Sequence, residues 1–357
     1  EAVLTSGDGA GVGKIYHHIN GKFDYHQRVY AFFFFKNIIG RFLFYYLSSG
    51  FYRVAIMGSA KSTVDSLRLP LIQDFEVALP PLPEQRAIAA FLDEKTAQID
   101  QALAQKARLI ELLKERKQIL IQQLVTGQRV WNEAEQAWTA PAATRDSGVD
   151  WIGEVPEEWE VKRAKYLFDE INERSQDGSE ELLSVSHMTG VTPRSQKDVN
   201  MFMAEDYSGS KLCQPGDVVY NIMWTWMGAL GVASQTGIVS PSYGVYRQKN
   251  PSTLNSTFLE HRLTTLEYIT YYNMISTGLH SSRLRFYSHM FMNMAIAYPT
   301  RSEQEIIVAE INRQSTRIER AIALQEQQME KLREYRAVLI DAAVRGRIRV
   351  PGVEESP

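Results

Sequence analysis

The residues most suggestive of bond-making chemistry stand near the start of the chain, in Gly7-Asp8-Gly9-Ala10-Gly11-Val12-Gly13-Lys14. A phosphate loop needs glycines that free backbone N–H groups, a lysine for the phosphates and a hydroxyl for magnesium. Here Asp8 occupies the first glycine position and Ile15 the hydroxyl position. The dinucleotide pattern fails too, because Val12 holds its last glycine site, so the run reads as a glycine-rich hairpin. Leu79-Pro80-Pro81-Leu82 has the two prolines of an amino-methyltransferase motif. It lacks the polar residue that would hold the target amine and the aromatic that would stack on a flipped base. His17 and His18 are adjacent, so on a strand they face opposite ways and do not share a metal. None of the seven histidines falls in a ligand or triad spacing, and catalysis by this chain is not expected.

The elements that would position any site are dominated by a repeat. Glu84–Gly127 and Glu303–Gly346 align without a gap at an offset of 219. Glu84/Glu303, Gln85/Gln304, Ile88/Ile307, Glu115/Glu334 and Gly127/Gly346 are identical pairs. Glu84–Leu124 contains neither proline nor glycine and is rich in strong helix formers, with Pro80, Pro81 and Pro83 before it and Gly127 as a C-terminal cap. Its apolar residues step by fours and threes through Ile99, Leu103, Ile110, Leu113 and Leu120, interrupted by Lys106 and Lys117. The second copy runs Ile318, Ile322, Met329, Leu332 and Leu339, interrupted by Gln325 and Arg336. This is coiled-coil spacing, in which polar seam residues fix register at some loss of stability. Two helices of this kind, each behind a globular stretch, predict an antiparallel pair with the two halves related by a pseudo-twofold axis. At ~1.5 Å per residue each helix spans on the order of 60 Å.

The repeat continues upstream more weakly: Gly21, Val29 and Tyr30 match Gly237, Val245 and Tyr246 at an offset of 216, and Pro80 matches Pro299 at 219. Short strands with glycine turns are expected at 216–220, 231–233 and 237–239, extended stretches at 75–79 and 294–298, and helix over 254–275 and near 42–47. The second unit opens near Asp146, about 70 residues before Gly216, and the corresponding part of the first unit would precede Glu1. With 357 residues and 44% apolar content the chain can build two or three cores. The single cysteine, Cys213, excludes a disulfide framework and suggests a reducing compartment. No run is long and apolar enough to span a bilayer and no export leader is legible, so a cytoplasmic location and no membrane partner are expected. Net charge is −3, distributed as +2 over 1–79, +1 over 80–145, −6 over 146–298 and 0 over 299–357. No segment is a polycationic clamp, so any nucleic-acid binding must use local patches.

Together these elements resemble the specificity subunit of a Type I restriction–modification enzyme. The resemblance is carried by Leu79-Pro80-Pro81-Leu82-Pro83-Glu84-Gln85, by Ile88-Ala89 and Phe91-Leu92-Asp93, and by the helix closing on Leu124-Val125-Thr126-Gly127. It is carried also by Asp146-Ser147-Gly148-Val149-Asp150-Trp151-Ile152-Gly153-Glu154-Val155-Pro156-Glu157-Glu158-Trp159, similar to the opening of a target recognition domain. The resemblance implies an α+β fold: two mainly-sheet recognition domains separated by two conserved helices forming an antiparallel coiled coil. The divisions are 1–79 (the C-terminal part of the first recognition domain), 80–145 (helix and linker), 146–298 (the second recognition domain) and 299–357 (helix and tail). It implies a non-catalytic chain that reads a bipartite site in double-stranded DNA while the helices set the spacer. Two modification subunits, which carry S-adenosylmethionine and methylate adenine, would dock on it, and motor-nuclease restriction subunits would join them. No cofactor is expected in this chain. Competing readings are an assembly scaffold that no longer reads DNA, a self-contained adenine methyltransferase, and self-association through a second copy.

Direct readout of DNA needs side chains that donate or accept at base edges, backed by cations on phosphates. The best local patch is 276–287, with His280, Ser281, Ser282, Arg283, Arg285 and Tyr287 as candidates, and Ser59, Lys61 and Ser62 in the matching stretch of the first unit. A second candidate group is Asn221 and Trp224, followed by Ser242 and Tyr243. The competing structural reading puts the tryptophans in the core and Arg283 in an ion pair.

Overall fold

The computed structural model describes residues 1–58, 66–197, 206–280 and 283–353. The chain divides into two compact units, Glu1–Leu112 with Arg320–Pro357, and Leu113–Glu319. Each long helix, Leu82–Val125 and Arg301–Val344, therefore contributes one half to each unit.

In the first unit, strands Ala2–Ser6, Tyr16–Ile19 and Val29–Phe32 form an antiparallel sheet with Ala2–Ser6 in the middle. The glycine-rich run is the connection between the first two strands. At Gly13, φ is +66°, and a Cβ would lie 2.9 Å from the Ala55 Cβ, so only glycine lets the loop lie against helix Gly40–Gly58. His17 is exposed while His18 Nε2 sits 2.7 Å from Glu1 Oε1, so the two rings do separate. The helical expectation near 42–47 holds within Gly40–Gly58, which buries Phe42, Tyr45 and Tyr46 against Ile88 and Leu92 of the first long helix and Leu339, Ile340 and Val344 of the second. Each such apolar side chain contributes about 1.5–3 kcal/mol on burial. The stretch 75–79, expected as extended, is neither helix nor strand; Ala78 N donates to the Tyr46 hydroxyl at 3.1 Å.

The second unit holds a four-stranded antiparallel sheet in the order Leu230–Val232, Val218–Tyr220, Gly244–Gln248, Phe168–Glu170. Among the described residues it also has five two-stranded ribbons, including Ala295–Tyr298 with Glu160–Arg163 and Lys211–Cys213 with Gly237–Val239. Its core is aromatic: Tyr220 and Tyr246 stack at 5.5 Å with their hydroxyls 3.1 Å apart, and Phe286 and Phe291 close around them. The stretch expected as one helix over 254–275 is two, Ser256–Leu263 and Leu266–Ile275. Thr264 Oγ1 bonds back to the Glu260 and His261 carbonyls, and Thr265 is extended, which breaks the run between them.

The seam forms as its spacing dictates. Ile99, Leu103, Ile110, Leu113 and Leu120, and Ile318, Ile322, Met329, Leu332 and Leu339, are all buried or half-buried. In the first unit Lys106 Nζ donates to Gln325 Oε1 at 3.1 Å and to Gln328, and Arg336 Nε lies 3.4 Å from Asp100 Oδ1. In the second unit Lys117 Nζ meets Glu319 Oε1 at 2.6 Å. Low numbers meet high numbers in both units, so in each the helix segments run antiparallel. Lys106 and Gln325 are repeat equivalents, and the Arg336–Asp100 and Lys117–Glu319 pairs are equivalents of each other. Lys106 and Gln325 therefore meet each other, while Lys117 and Arg336 each meet an acidic residue of the other helix.

A second repeated device joins each helix start to its own domain. Gln85 is buried; its Oε1 accepts from Ile39 N, and its Nε2 donates to the Pro80 and Asn37 carbonyls. Gln304 does the same with Asn255 N and the Pro299 and Thr253 carbonyls.

Candidate nucleic-acid interface

Three loops of the second unit meet at one edge of its four-stranded sheet. Val218–Tyr220 pairs antiparallel with Gly244–Gln248, with Tyr220 opposite Gly244. That register sets the end of the first strand beside the start of the second, so the loop after Tyr220 lies next to the loop before Gly244. Asn221 Nδ2 donates to the Tyr243 hydroxyl at 2.9 Å across this junction, and its Oδ1 accepts from Met223 N. Asn221 is 5% exposed, and both ends of its amide hold the loops. The third loop arrives through backbone: Phe286 N donates to Ile222 O, and Thr277 bridges Arg285. The 221–227, 240–243 and 276–287 stretches are thus brought together by strand register and by Phe286 seated under Tyr220.

The side chains presented there are mixed. Trp224 is 45% exposed and stacks on Trp226 at 6.1 Å, while Trp226 Nε1 donates to Met223 O. Trp224 is therefore not a core residue. Ser242 is exposed, with its N–H on Ser240 Oγ. Tyr243 is half-buried, and burial raises its hydroxyl pKa while the charge of Arg194 opposes the rise. His280, Arg283 and Tyr287 are exposed and Arg285 is half-buried, with Arg285 Nη1 on the Leu284 carbonyl. Among the described residues neither arginine forms an ion pair, so both guanidinium groups are available to an anionic partner. Ser281 and Ser282, and Ser59, Lys61 and Ser62 of the first unit, lie outside the described residues.

Residues that the sequence did not single out also face this edge. Met223 and Met227 flank Trp224, and Leu279, 87% exposed, tips the third loop. Arg194 keeps one guanidinium nitrogen buried and without a hydrogen-bond partner among the described residues. Lys211 donates to Tyr243 O, and burial lowers its ammonium pKa. Met223, Met227 and Leu279 lie in the loops the sequence picked out, whereas Arg194 and Lys211 come from segments distant in the chain and no pattern marks them. What the edge offers is stacking surface, small hydroxyls and cations on loops held by a rigid sheet, and that combination suits base edges and phosphates.

The described residues contain no group of three or more histidine, cysteine or acidic side chains placed to hold a metal. Cys213 is buried, its thiol pushed up to about 11 by desolvation, which leaves it a protonated core residue. No helix of the described residues is long and apolar enough to cross a membrane.

Residues 2–112 match the family described as Type I restriction modification DNA specificity domain. A chain from structural work on complex assembly and conformational transition of the type I R-M system superposes with a TM-score of 0.67 at 15% identity, covering 97% of this chain and 82% of that one. The HsdS subunit from Thermoanaerobacter tengcongensis superposes with a TM-score of 0.50 at 18% identity, covering 87% and 71%. At these identities the likeness is one of fold. Residues 2–112 thus carry the sequence of a Type I restriction modification DNA specificity domain, and over nearly its whole length the chain shares the fold of these two structures.

Proposed function

We propose that this chain is the DNA-recognition subunit of a Type I restriction–modification complex and makes or breaks no bond itself. The second unit reads one half of a bipartite site in double-stranded DNA through the loops around Trp224, Ser242, Tyr243, His280, Arg283, Arg285 and Tyr287. The first unit carries the other recognition domain, and the long helices set the spacing between half-sites. Two modification subunits holding S-adenosylmethionine dock on this frame, and motor-nuclease subunits complete the restriction form. The observation that carries the reading is the convergence of three sequence-distant loops at one sheet edge, with an exposed tryptophan and two arginines unpaired by any carboxylate among the described residues. In a domain segment of net charge −6, cations left free on one edge are suited to an anionic partner.

The test is a salt-controlled DNA titration of the assembled methyltransferase. Arg283→Ala with Arg285→Ala weakens specific binding by ~1–3 kcal/mol for each arginine that bonds a base edge, without dissolving the complex. Unchanged affinity and unchanged salt slope remove this edge from the interface.

A further inference from the structure

The glycine-rich run that fails as a phosphate loop lies where the second unit carries its candidate interface. Ser6 stands opposite Val29 in the first unit's sheet, and Val219 stands opposite Val245 in the second. Val29 and Val245 are repeat equivalents, so Ser6 corresponds to Val219, and two residues further on Asp8 corresponds to Asn221. Asn221 crosses to the loop before Gly244 by donating to Tyr243. Asp8 crosses to the loop before Val29, where its Oδ2 lies 3.3 Å from Arg28 Nε. The third loop is matched as well. Leu67 N donates to Gly7 O at 2.8 Å and Ser66 bridges Asp8. Leu67 stands at the repeat offset of 219 from Phe286, whose N donates to Ile222 O. The first unit therefore builds its own three-loop edge from 7–14, 24–28 and 66–67.

The side chains on the two edges differ. The connection from Asp8 to Tyr16 is three residues shorter than that from Asn221 to Val232, which holds the place of Tyr16 in its ladder. Its turn is Gly9–Gly11, where the second unit has Thr225–Met227 behind the exposed Trp224. The indole surface is lost and a charged pair takes its place. Asp8 precedes the turn but makes no side-chain capping bond to it, so its carboxylate serves Arg28. The Arg28 side chain is 66% exposed, and among the described residues only Asp8 holds its guanidinium. A pair this exposed adds little to folding. A carboxylate at Nε orients the guanidinium and leaves its terminal nitrogens for a bidentate bond, the geometry by which arginine takes guanine O6 and N7.

We propose, resting on the DNA-reading function above, that Arg28 is a specificity-determining residue of the first unit and selects a G·C pair in the half-site which that unit reads. Arg28 makes the base contact. Asp8 is a positioning residue that acts through it.

Methylation of a randomised duplex library by the assembled methyltransferase, with the sequence around each methylated adenine read out, tests this. The wild type should specify both halves of the site, with guanine preferred at one position that depends on Arg28. Arg28→Lys keeps the charge and loses the fork. Preference for guanine at that position should fall on the order of tenfold or more. The profile of the other half and the salt slope of binding should stay as in the wild type. Asp8→Asn should lower the same preference by a smaller factor and at no other position. Arg283→Ala with Arg285→Ala should alter the opposite half. A profile unchanged by Arg28→Lys overturns the proposal, and one unchanged by Asp8→Asn overturns the positioning role. A loss spread evenly over all positions marks a phosphate contact and overturns it too, as does a loss in the half that the Arg283 and Arg285 changes affect. In each of these cases a wild type that still specifies sequence leaves the DNA-reading function standing. A wild type that specifies none removes that function and the role of Arg28 with it.

Discussion

The individual side chains fall into two groups with different physical duties. Asn221, Gln85 and Gln304 are buried and spend their polar atoms on backbone or neighbouring loops. Removing one leaves several buried groups unpaired, at about 1–3 kcal/mol each. Gln304→Leu should therefore destabilise the chain by at least about 1–3 kcal/mol, visible as a lower urea midpoint. Trp224 is the opposite case. Half exposed, it contributes little to folding, so Trp224→Ala should shift the unfolding free energy by no more than about 0.5 kcal/mol. The same change should weaken DNA binding by ~1–3 kcal/mol when the indole packs on a base edge in the groove. Thermal unfolding beside a DNA titration separates the two effects. Glu303 gives a pH signature. Burial raises its carboxyl pKa, with the Trp159 bond opposing the rise. An acid whose folded pKa is raised stabilises the fold below its unfolded pKa and loses that stability as pH rises through the folded value. Glu303→Gln keeps an oxygen for Trp159 and removes the titration. The wild type should match or exceed the variant in acid and fall behind it by under about 1 kcal/mol toward neutral pH, in urea midpoints measured across that range.

At the scale of elements, the helix seam was the most legible feature of the chain. Its spacing depends on a period of about 3.5 that local sequence carries, and each of its ten apolar positions is at least half-buried. The meaning of its interruptions was less legible. Lys106 and Gln325 read as faults in a stripe until the antiparallel pairing sets them side by side, and Lys117 and Arg336 gain acidic partners in the same way. Replacing both Lys106 and Gln325 with leucine should raise the thermal midpoint, since two polar seam positions become apolar. It should also loosen register, read as additional oligomeric species in sedimentation. The break between Ser256–Leu263 and Leu266–Ile275 was not legible, because Thr264 is tolerable within a helix and ends one only by bonding back to its preceding turn.

For the whole molecule, recognition and chemistry belong to different chains in the proposed complex. The isolated chain should give no calorimetric signal with S-adenosylmethionine, and the signal should appear when a modification subunit is added. Binding by the chain alone would favour a self-contained methyltransferase.

The sequence by itself determined the two copies, the long helices with their seam, and the absence of a recognisable catalytic motif. These are local or self-referential patterns: a helix period, a cap, or a match at fixed offset can be read without knowing what touches what. Tertiary structure alone decided that the loops after Tyr220, before Gly244 and around Arg285 form one edge, because antiparallel register and the placement of Phe286 bring together residues far apart in sequence. It decided likewise that Gly127 is covered while Gly346 is open among the described residues, although their helices match over 44 residues. Identical helix ends differ when long-range neighbours differ, and no local pattern carries that information.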